Sequence, residues 1–149
     1  MRIILLDLNY TLVANRDPSV PLWRTLRNDA EEYRQWLVEL IRPEVVFLVT
    51  ARPQTYQRVT FDSINRKCSW FPDELYFNWG MEPPRFKEQV LLQHILPRFS
   101  SEQCLAIESN PKTRIMYHRH HIRTCSVDPE QTWTTLPEGD LSEFLGDLP

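Results

Sequence analysis

The sequence predicts an α/β fold: a doubly wound, three-layer sandwich around a mostly parallel sheet of about five strands. Three observations lead there. Short, continuously apolar runs of strand length recur along the chain, as at residues 3–6 and 45–49. Between them lie stretches whose apolar residues return every three or four positions, the period of a helix with one buried face. The strand-like runs do not alternate apolar with polar, so both their faces are covered, as in a parallel sheet flanked by helices. Right-handed crossovers then place helices on both sides of that sheet.

Taken in chain order, residues 2–6 form the first strand. Leu22, Leu26, Ala30, Tyr33, Leu37 and Leu40 recur at helical steps and predict one amphipathic helix that stops before Pro43. Residues 45–49 make the second strand. Pro53 opens the next helix, with Tyr56, Val59, Thr60 and Ile64 on its inner face. Residues 75–79 read as a third strand stopped by Gly80, and a helix over 85–96 buries Phe86, Val90, Leu91 and Ile95. The fourth strand is residues 104–107. Asn110 then supplies a helix cap and Pro111 the first helical position. Residues 122–127 complete the sheet. With no repeat, low-complexity tract or linker in view, the expectation is one domain, 1–149, whose residues 128–149 form a turn-rich, acidic C-terminal tail.

Composition narrows the function classes. An apolar fraction of 42% and a charged fraction of 25% belong to an ordinary globular protein. A net charge of -3 does not advertise a general polyanion binder. Cys68, Cys104 and Cys125 are too sparse for a disulfide framework and read as reduced thiols. The first apolar run is too short for a signal peptide or a membrane span, so the expected location is cytoplasmic, with no membrane partner. Three glycines against twelve prolines imply rigid connections.

Sheets of this kind bind ligands beyond the carboxyl ends of their strands, where the strand order switches. The residues there are Asp7-Leu8-Asn9-Tyr10-Thr11-Leu12, then Thr50-Ala51-Arg52-Pro53, Lys87, and Glu108-Ser109-Asn110. A carboxylate at the tip of a buried strand can act as nucleophile or metal ligand. A hydroxyl beside backbone N–H groups can hold a phosphate oxygen. Lysine neutralises phosphate and nucleophile together, and a second acid can complete a magnesium site of oxygen ligands. Taken singly, an acid after a strand is usually a turn residue and a lysine at a helix start is usually solvated. The order acid, hydroxyl, lysine, acid is what carries the reading.

That order resembles the haloacid-dehalogenase (HAD) superfamily, over about residues 2 to 127. Asp7 to Leu12 is similar to its first motif, 45–50 ending in Thr50 to its second, Lys87 to its third, and Leu105-Ala106-Ile107-Glu108 with Ser109 to its fourth. The Asn-Tyr-Thr-Leu stretch resembles the form seen in capless, magnesium-dependent phosphatases. The resemblance implies a HAD-like Rossmannoid fold and a phosphomonoester substrate that forms an aspartyl-phosphate on Asp7. It implies phosphate binding by Thr50, Ala51, Arg52 and Lys87. It also implies Mg2+ held by Asp7, the backbone carbonyl of Asn9, and Glu108 or Ser109.

Two positions depart from the family pattern. Asn9 stands where the family has its general acid and base, work typically worth roughly 10²–10⁴-fold in rate that an amide cannot do. Glu108-Ser109 replaces the usual acidic pair, which weakens a site for a hard cation. Three readings follow: a slow or specialised phosphohydrolase, a different HAD reaction, or a degenerate member that binds a phosphorylated ligand, a nucleic-acid end or a protein partner.

No interval is long enough for a separate cap, and an open site suits a macromolecular substrate or a tail that partly covers it. A weaker resemblance, in Thr50-Ala51-Arg52-Pro53 and its basic helix, is to the phosphatase half of bacteriophage polynucleotide kinase/phosphatases. It implies nucleic-acid ends as partners, with Arg52 and Arg58 meeting phosphates. Trp70, Phe71 and Trp79 are core by default, with base stacking the alternative. The His118, His120 and His121 stretch lacks acid or cysteine partners at ligand spacing. It reads as a helix C-terminus rather than a zinc site.

Overall fold

The computed structural model describes residues 1–13 and 17–125. Strand β1, Ile3–Leu6, is buried throughout because all four side chains are aliphatic and helices pack on both its faces. It pairs in parallel with β2, Val45–Pro53, on one side and β4, Cys104–Ile107, on the other, with Leu6 opposite Leu48 and Ile107. Strand β3, Glu74–Asn78, extends the sheet beyond β2, and β5, Arg123–Cys125, extends it beyond β4. The order is therefore β3-β2-β1-β4-β5, all parallel, which is the doubly wound sheet the apolar runs predict. The strand order reverses between β1 and β4, so the ligand crevice opens where those two strands end.

Alternate residues of β1 serve opposite cores. Ile4 and Leu6 join Leu37, Val38 and Ile41 of α2 (Gln35–Ile41) and Ile64 of α3 (Gln57–Cys68), together with Tyr33 from the chain before α2. Ile3 and Leu5 join Phe86 and Val90 of α4 (Pro83–Val90), with Leu91 and Ile95 just beyond it, and Met116 and Tyr117 of α5 (Pro111–Arg119). The helix over 85–96 is thus present, shifted slightly toward its two prolines. Asn110 caps α5 as expected, its Oδ1 accepting from the Lys112 N–H at 2.9 Å.

The single helix expected over 22–40 is instead two, α1 (Leu22–Arg27) and α2. Asp29 adopts φ 53°, which stops α1, and Tyr33 forms an antiparallel bridge with Val13. Lys67 Nζ donates to the carbonyls of Asp29 and Glu31 at 2.9 and 2.7 Å, holding the linker open. These tertiary bonds override a periodicity that runs on across the break. The inner face of α3 is also corrected: Thr60, Ser63, Ile64 and Cys68 are buried, whereas Val59 is 42% exposed. A three-residue turn after Pro53 rotates the helix relative to the expected start.

Cys68, Cys104 and Cys125 are free thiols. Among the described residues, no helix is long and apolar enough to cross a membrane. The last two residues of the expected fifth strand and the expected tail over 128–149 lie outside the described residues.

Candidate active site

The site is assembled from the ends of β1 and β4. The Asp7 N–H donates to the Ile107 carbonyl at 2.9 Å, carrying the parallel pairing one residue past β1. The chain then turns through Leu8–Leu12, closed by the Val13 N–H on the Leu8 carbonyl at 2.9 Å. Tyr10 takes φ 60° in this turn, a conformation that costs a side-chain-bearing residue about 1–2 kcal/mol. The turn returns Thr11 beneath Asp7, where its hydroxyl donates to Asp7 Oδ2 at 2.8 Å.

Lys87 comes from the first turns of α4. Asn78 sets that helix: its Oδ1 accepts from the N–H groups of Gly80 and Met81, both at 2.9 Å, and its Nδ2 donates to the Met81 carbonyl at 2.7 Å. Gly80 has φ 121°, open to glycine and strained for other residues. Phe86 is anchored edge-on to Trp79, with ring centroids 4.9 Å apart. The neighbouring Lys87 then reaches inward. Its Nζ donates to Asp7 Oδ1 at 2.8 Å and to Glu108 Oε1 at 2.6 Å, all three side chains being buried.

The electrostatics follow from one cation shared by two acids. Burial alone would raise the Asp7 pKa, but the Lys87 charge and the hydrogen bonds around it prevail and hold the carboxyl below its ordinary range. For Glu108, burial and the nearby Asp7 charge outweigh Lys87 and push the carboxyl up to about 8. Burial works against the Lys87 charge too, yet the two acids raise its pKa above the usual lysine value. The one shared cation therefore favours the ionised form of Asp7 more than that of Glu108.

Ser109 faces the other side of Asp7. Its Oγ lies 3.0 Å from Asp7 Oδ2 and 3.4 Å from the Asn9 carbonyl oxygen. Glu108 instead turns to Lys87 and accepts from the Ser109 N–H at 3.0 Å. Arg114 pins this turn by donating to the Glu108 and Ser109 carbonyls at 3.1 and 2.8 Å.

The three oxygens of Asp7, Asn9 and Ser109 are hard donors of the kind magnesium takes, with Ser109 Oγ near the spacing of ligands at its 3.0 Å contact to Asp7 and wider at 3.4 Å to Asn9. Octahedral ligands at magnesium's bond length sit about 2.9 Å apart along an edge, and such ions are held by one or two carboxylates plus substrate phosphate. Only one of the three donors carries a charge. Among the described residues there is no group of three His, Cys, Asp or Glu arranged to hold a metal. The donor set thus fits an ion bound jointly with a phosphate.

Thr50 is fully buried, one position past the register level of Asp7 on the neighbouring strand. Its Oγ1 accepts from the Arg52 N–H at 3.1 Å, which leaves the hydroxyl proton to point elsewhere. Ala51 is half-buried beside it. Arg52 turns inward and is 1% exposed. Its guanidinium donates to both Glu31 oxygens at 2.9 and 2.7 Å, to Thr60 Oγ1 at 2.9 Å and to Asn9 Oδ1 at 2.8 Å. Arg58 does not join this cluster and lines an open groove of about 510 Å³ with Gln54, Thr55, Gln57, Phe61 and Leu75.

The structure therefore gathers Asp7, Asn9, Lys87, Glu108 and Ser109, with Arg52 behind Asn9. Sequence reasoning missed Glu31, Thr60 and Arg114. The only signal was charge balance: a buried arginine needs an acid, and nothing local says which of many acids it meets. The histidine stretch behaves as a helix end, with His120 Nε2 on Glu88 at 2.8 Å and His118 Nε2 on Thr124 Oγ1 at 2.9 Å.

No protein-family model matches the chain, and no curated protein matches it. Solved structures do. A chain in the Pnkp1/Rnl/Hen1 RNA repair complex matches 85% of this chain at 17% identity with a TM-score of 0.67, and this chain spans 42% of that one. The hydrolase SP0104 of Streptococcus pneumoniae, described as a haloacid dehalogenase-like family protein, has a TM-score of 0.58 at 13% identity, covering 85% of this chain and 84% of its own. The HAD family enzyme BT-2542 of Bacteroides thetaiotaomicron, solved with magnesium and inorganic phosphate, has a TM-score of 0.60 at 10% identity, covering 90% and 98%. At such identities the likeness is one of fold: five parallel strands and flanking helices, with no cap discernible among the described residues, give this chain the HAD-like fold.

Proposed function

We propose that this chain is a magnesium-dependent phosphohydrolase of the HAD type, which transfers a phosphoryl group to Asp7 before water removes it. The observation that supports this best is the Asp7 carboxylate, buried at the switch point of the sheet and kept ionised by Lys87 Nζ at 2.8 Å. A strand-tip carboxylate held ionised can accept a phosphoryl group, and the cation beside it offsets the charge of the incoming phosphate.

In this reading Asp7 Oδ1 attacks phosphorus. Lys87 neutralises the incoming phosphoryl oxygens, and the Thr50 hydroxyl and nearby backbone N–H groups hold them in line. Asp7 Oδ2, the Asn9 carbonyl and Ser109 Oγ would hold magnesium, which would supply positive charge to offset that of the phosphate. Arg52 acts through Asn9 instead of touching phosphate, because Glu31, Thr60 and Asn9 already occupy its terminal nitrogens.

Wild-type protein should release phosphate from an aryl phosphate only with magnesium, and Asp7→Asn should fall to the uncatalysed background. Equal rates for the two proteins at saturating magnesium would sink the reading. The binding-only alternative draws support from Ser109, which brings no charge to the metal. It predicts joint uptake of magnesium and phosphate by wild-type protein with no release of phosphate from any ester.

A further inference from the structure

The three donors of the proposed magnesium site are held by different means. Thr11 donates to Asp7 Oδ2 at 2.8 Å, and the Leu8–Leu12 turn, closed by the Val13 N–H on the Leu8 carbonyl, positions the Asn9 carbonyl. Ser109 is placed instead by a bend of the chain after β4. That bend sets its Oγ 3.0 Å from Asp7 Oδ2 and 3.4 Å from the Asn9 carbonyl oxygen.

Arg114 makes the bend. Successive carbonyls of an extended strand point to opposite sides. Those of Glu108 and Ser109 instead converge on one nitrogen, Arg114 Nη1, at 3.1 and 2.8 Å. The chain on either side is already fixed. At the near end the Glu108 N–H donates to the Cys125 carbonyl at 2.9 Å. At the far end Pro111 keeps the residue before it extended, and Asn110 has φ -80° and ψ 117°. The Asn110 carbonyl also accepts from the Arg114 N–H at 3.0 Å. What remains free is rotation of the peptides around Ser109, and Arg114 sets it through the two carbonyl oxygens. With both drawn to α5, the Ser109 side chain faces Asp7, while Glu108 turns to Lys87 at 2.6 Å.

We infer that Arg114 is a positioning residue for the metal site: its grip on the Glu108 and Ser109 carbonyls keeps Ser109 Oγ within the magnesium donor set. This rests on Asp7, Asn9 and Ser109 being the donors. Two consequences separate the role from a general effect of charge. A cation near a dication repels it, so removing the guanidinium by itself would tighten magnesium, whereas lost geometry loosens it. A single nitrogen makes both bonds, so a lysine ammonium, with its donors on one nitrogen, can serve both carbonyls.

The test is uptake of magnesium by the full chain in the presence of inorganic phosphate, read by titration calorimetry, with urea unfolding to check the fold. Arg114→Met should weaken magnesium about 10–100-fold, the usual effect of freeing a metal ligand from the group that orients it. Arg114→Lys should recover most of that loss. Arg119→Met removes the same charge from the same helix without touching the turn, and should leave the affinity unchanged. Ser109→Ala should also weaken magnesium, and in that background Arg114→Met should add nothing, because no hydroxyl is left to place. If Arg114→Met does not fold, Arg114→Gln, whose amide is too short to reach both carbonyls, is read in the same two backgrounds. Unchanged or tighter magnesium in the Arg114 variant, or a full second loss in the double variant, would overturn the positioning role and leave the metal site standing. No uptake of magnesium by the wild type would remove the metal site itself, and with it the reading on which this role rests.

Discussion

Lys87→Met is expected to destabilise the fold by about 3–5 kcal/mol, the usual effect of removing one partner from a buried ion pair. The lysine is 2% exposed and is bonded to both Asp7 and Glu108, so its loss leaves two buried acids with no cation. The effect should depend on pH in a definite direction. In the wild type, Glu108 has its carboxyl pKa raised from 4.5 to about 8. A raised carboxyl binds its proton more tightly when folded, so its contribution is full below 4.5 and is lost as pH climbs toward 8. Asp7 behaves oppositely: its lowered value contributes above its ordinary 3.8 and is lost as pH falls below that.

Without Lys87 the charge that favours both carboxylates disappears, and both folded-state values rise. The variant should then lose stability more steeply than the wild type between about pH 5 and pH 8. Urea unfolding at those two values, with chelator present, reads the difference. A deficit below about 1 kcal/mol, the range of an exposed pair, or an equal deficit at both pH values, would refute the buried, shared cation.

Glu31→Ala should have an effect of similar size, about 3–5 kcal/mol, because it strands the Arg52 guanidinium in the interior. The bidentate bonds at 2.9 and 2.7 Å join side chains that are 2% and 0% exposed, so water cannot replace the missing acid. Arg52→Met should be comparably destabilising, this time stranding the acid. The double variant is the informative one. With both charges gone, it should lose less than the sum of the single variants by about 0.5–3 kcal/mol. A denaturant-based double-mutant cycle measures that coupling, and simple additivity would show that the pair does not act as one unit.

The parallel sheet was legible in the sequence because its inner strands are covered on both faces. Residues such as Ile3, Ile4, Leu5 and Leu6 have no exposed side on which a polar residue would be tolerated. The cap of α5 was legible for a local reason too, since Asn110 bonds only two residues ahead. The break between α1 and α2 was not. It depends on Lys67, 38 residues from the Asp29 carbonyl it holds, and on the bridge from Tyr33 back to Val13. A periodicity of apolar residues carries no trace of such distant donors.

The same division runs through the site. Asp7 and Asn9 follow one strand and Glu108 and Ser109 follow another, and strand ends in this architecture converge on one crevice, so their meeting was implied by their order along the chain. Sequence reasoning expected Lys87 to join them by family resemblance. Its burial between two acids comes from the Asn78 turn and the packing of Phe86 on Trp79. Arg52 shows the limit most clearly. It stands where a phosphate ligand was expected, yet it faces the interior because Glu31, 21 residues earlier, meets both its terminal nitrogens there.

The sequence by itself determined the chain's architecture, the strand-tip acid Asp7, and the absence of a titratable group at position 9, because each is written in neighbouring residues. Only the tertiary structure decided which way Asn9 and Arg52 point, that Ser109 rather than Glu108 faces the Asp7 and Asn9 oxygens, and that one lysine serves two acids. Those outcomes depend on how many donors and acceptors a crowded interior must satisfy at once. That balance is settled by side chains from distant segments and by none of those segments alone.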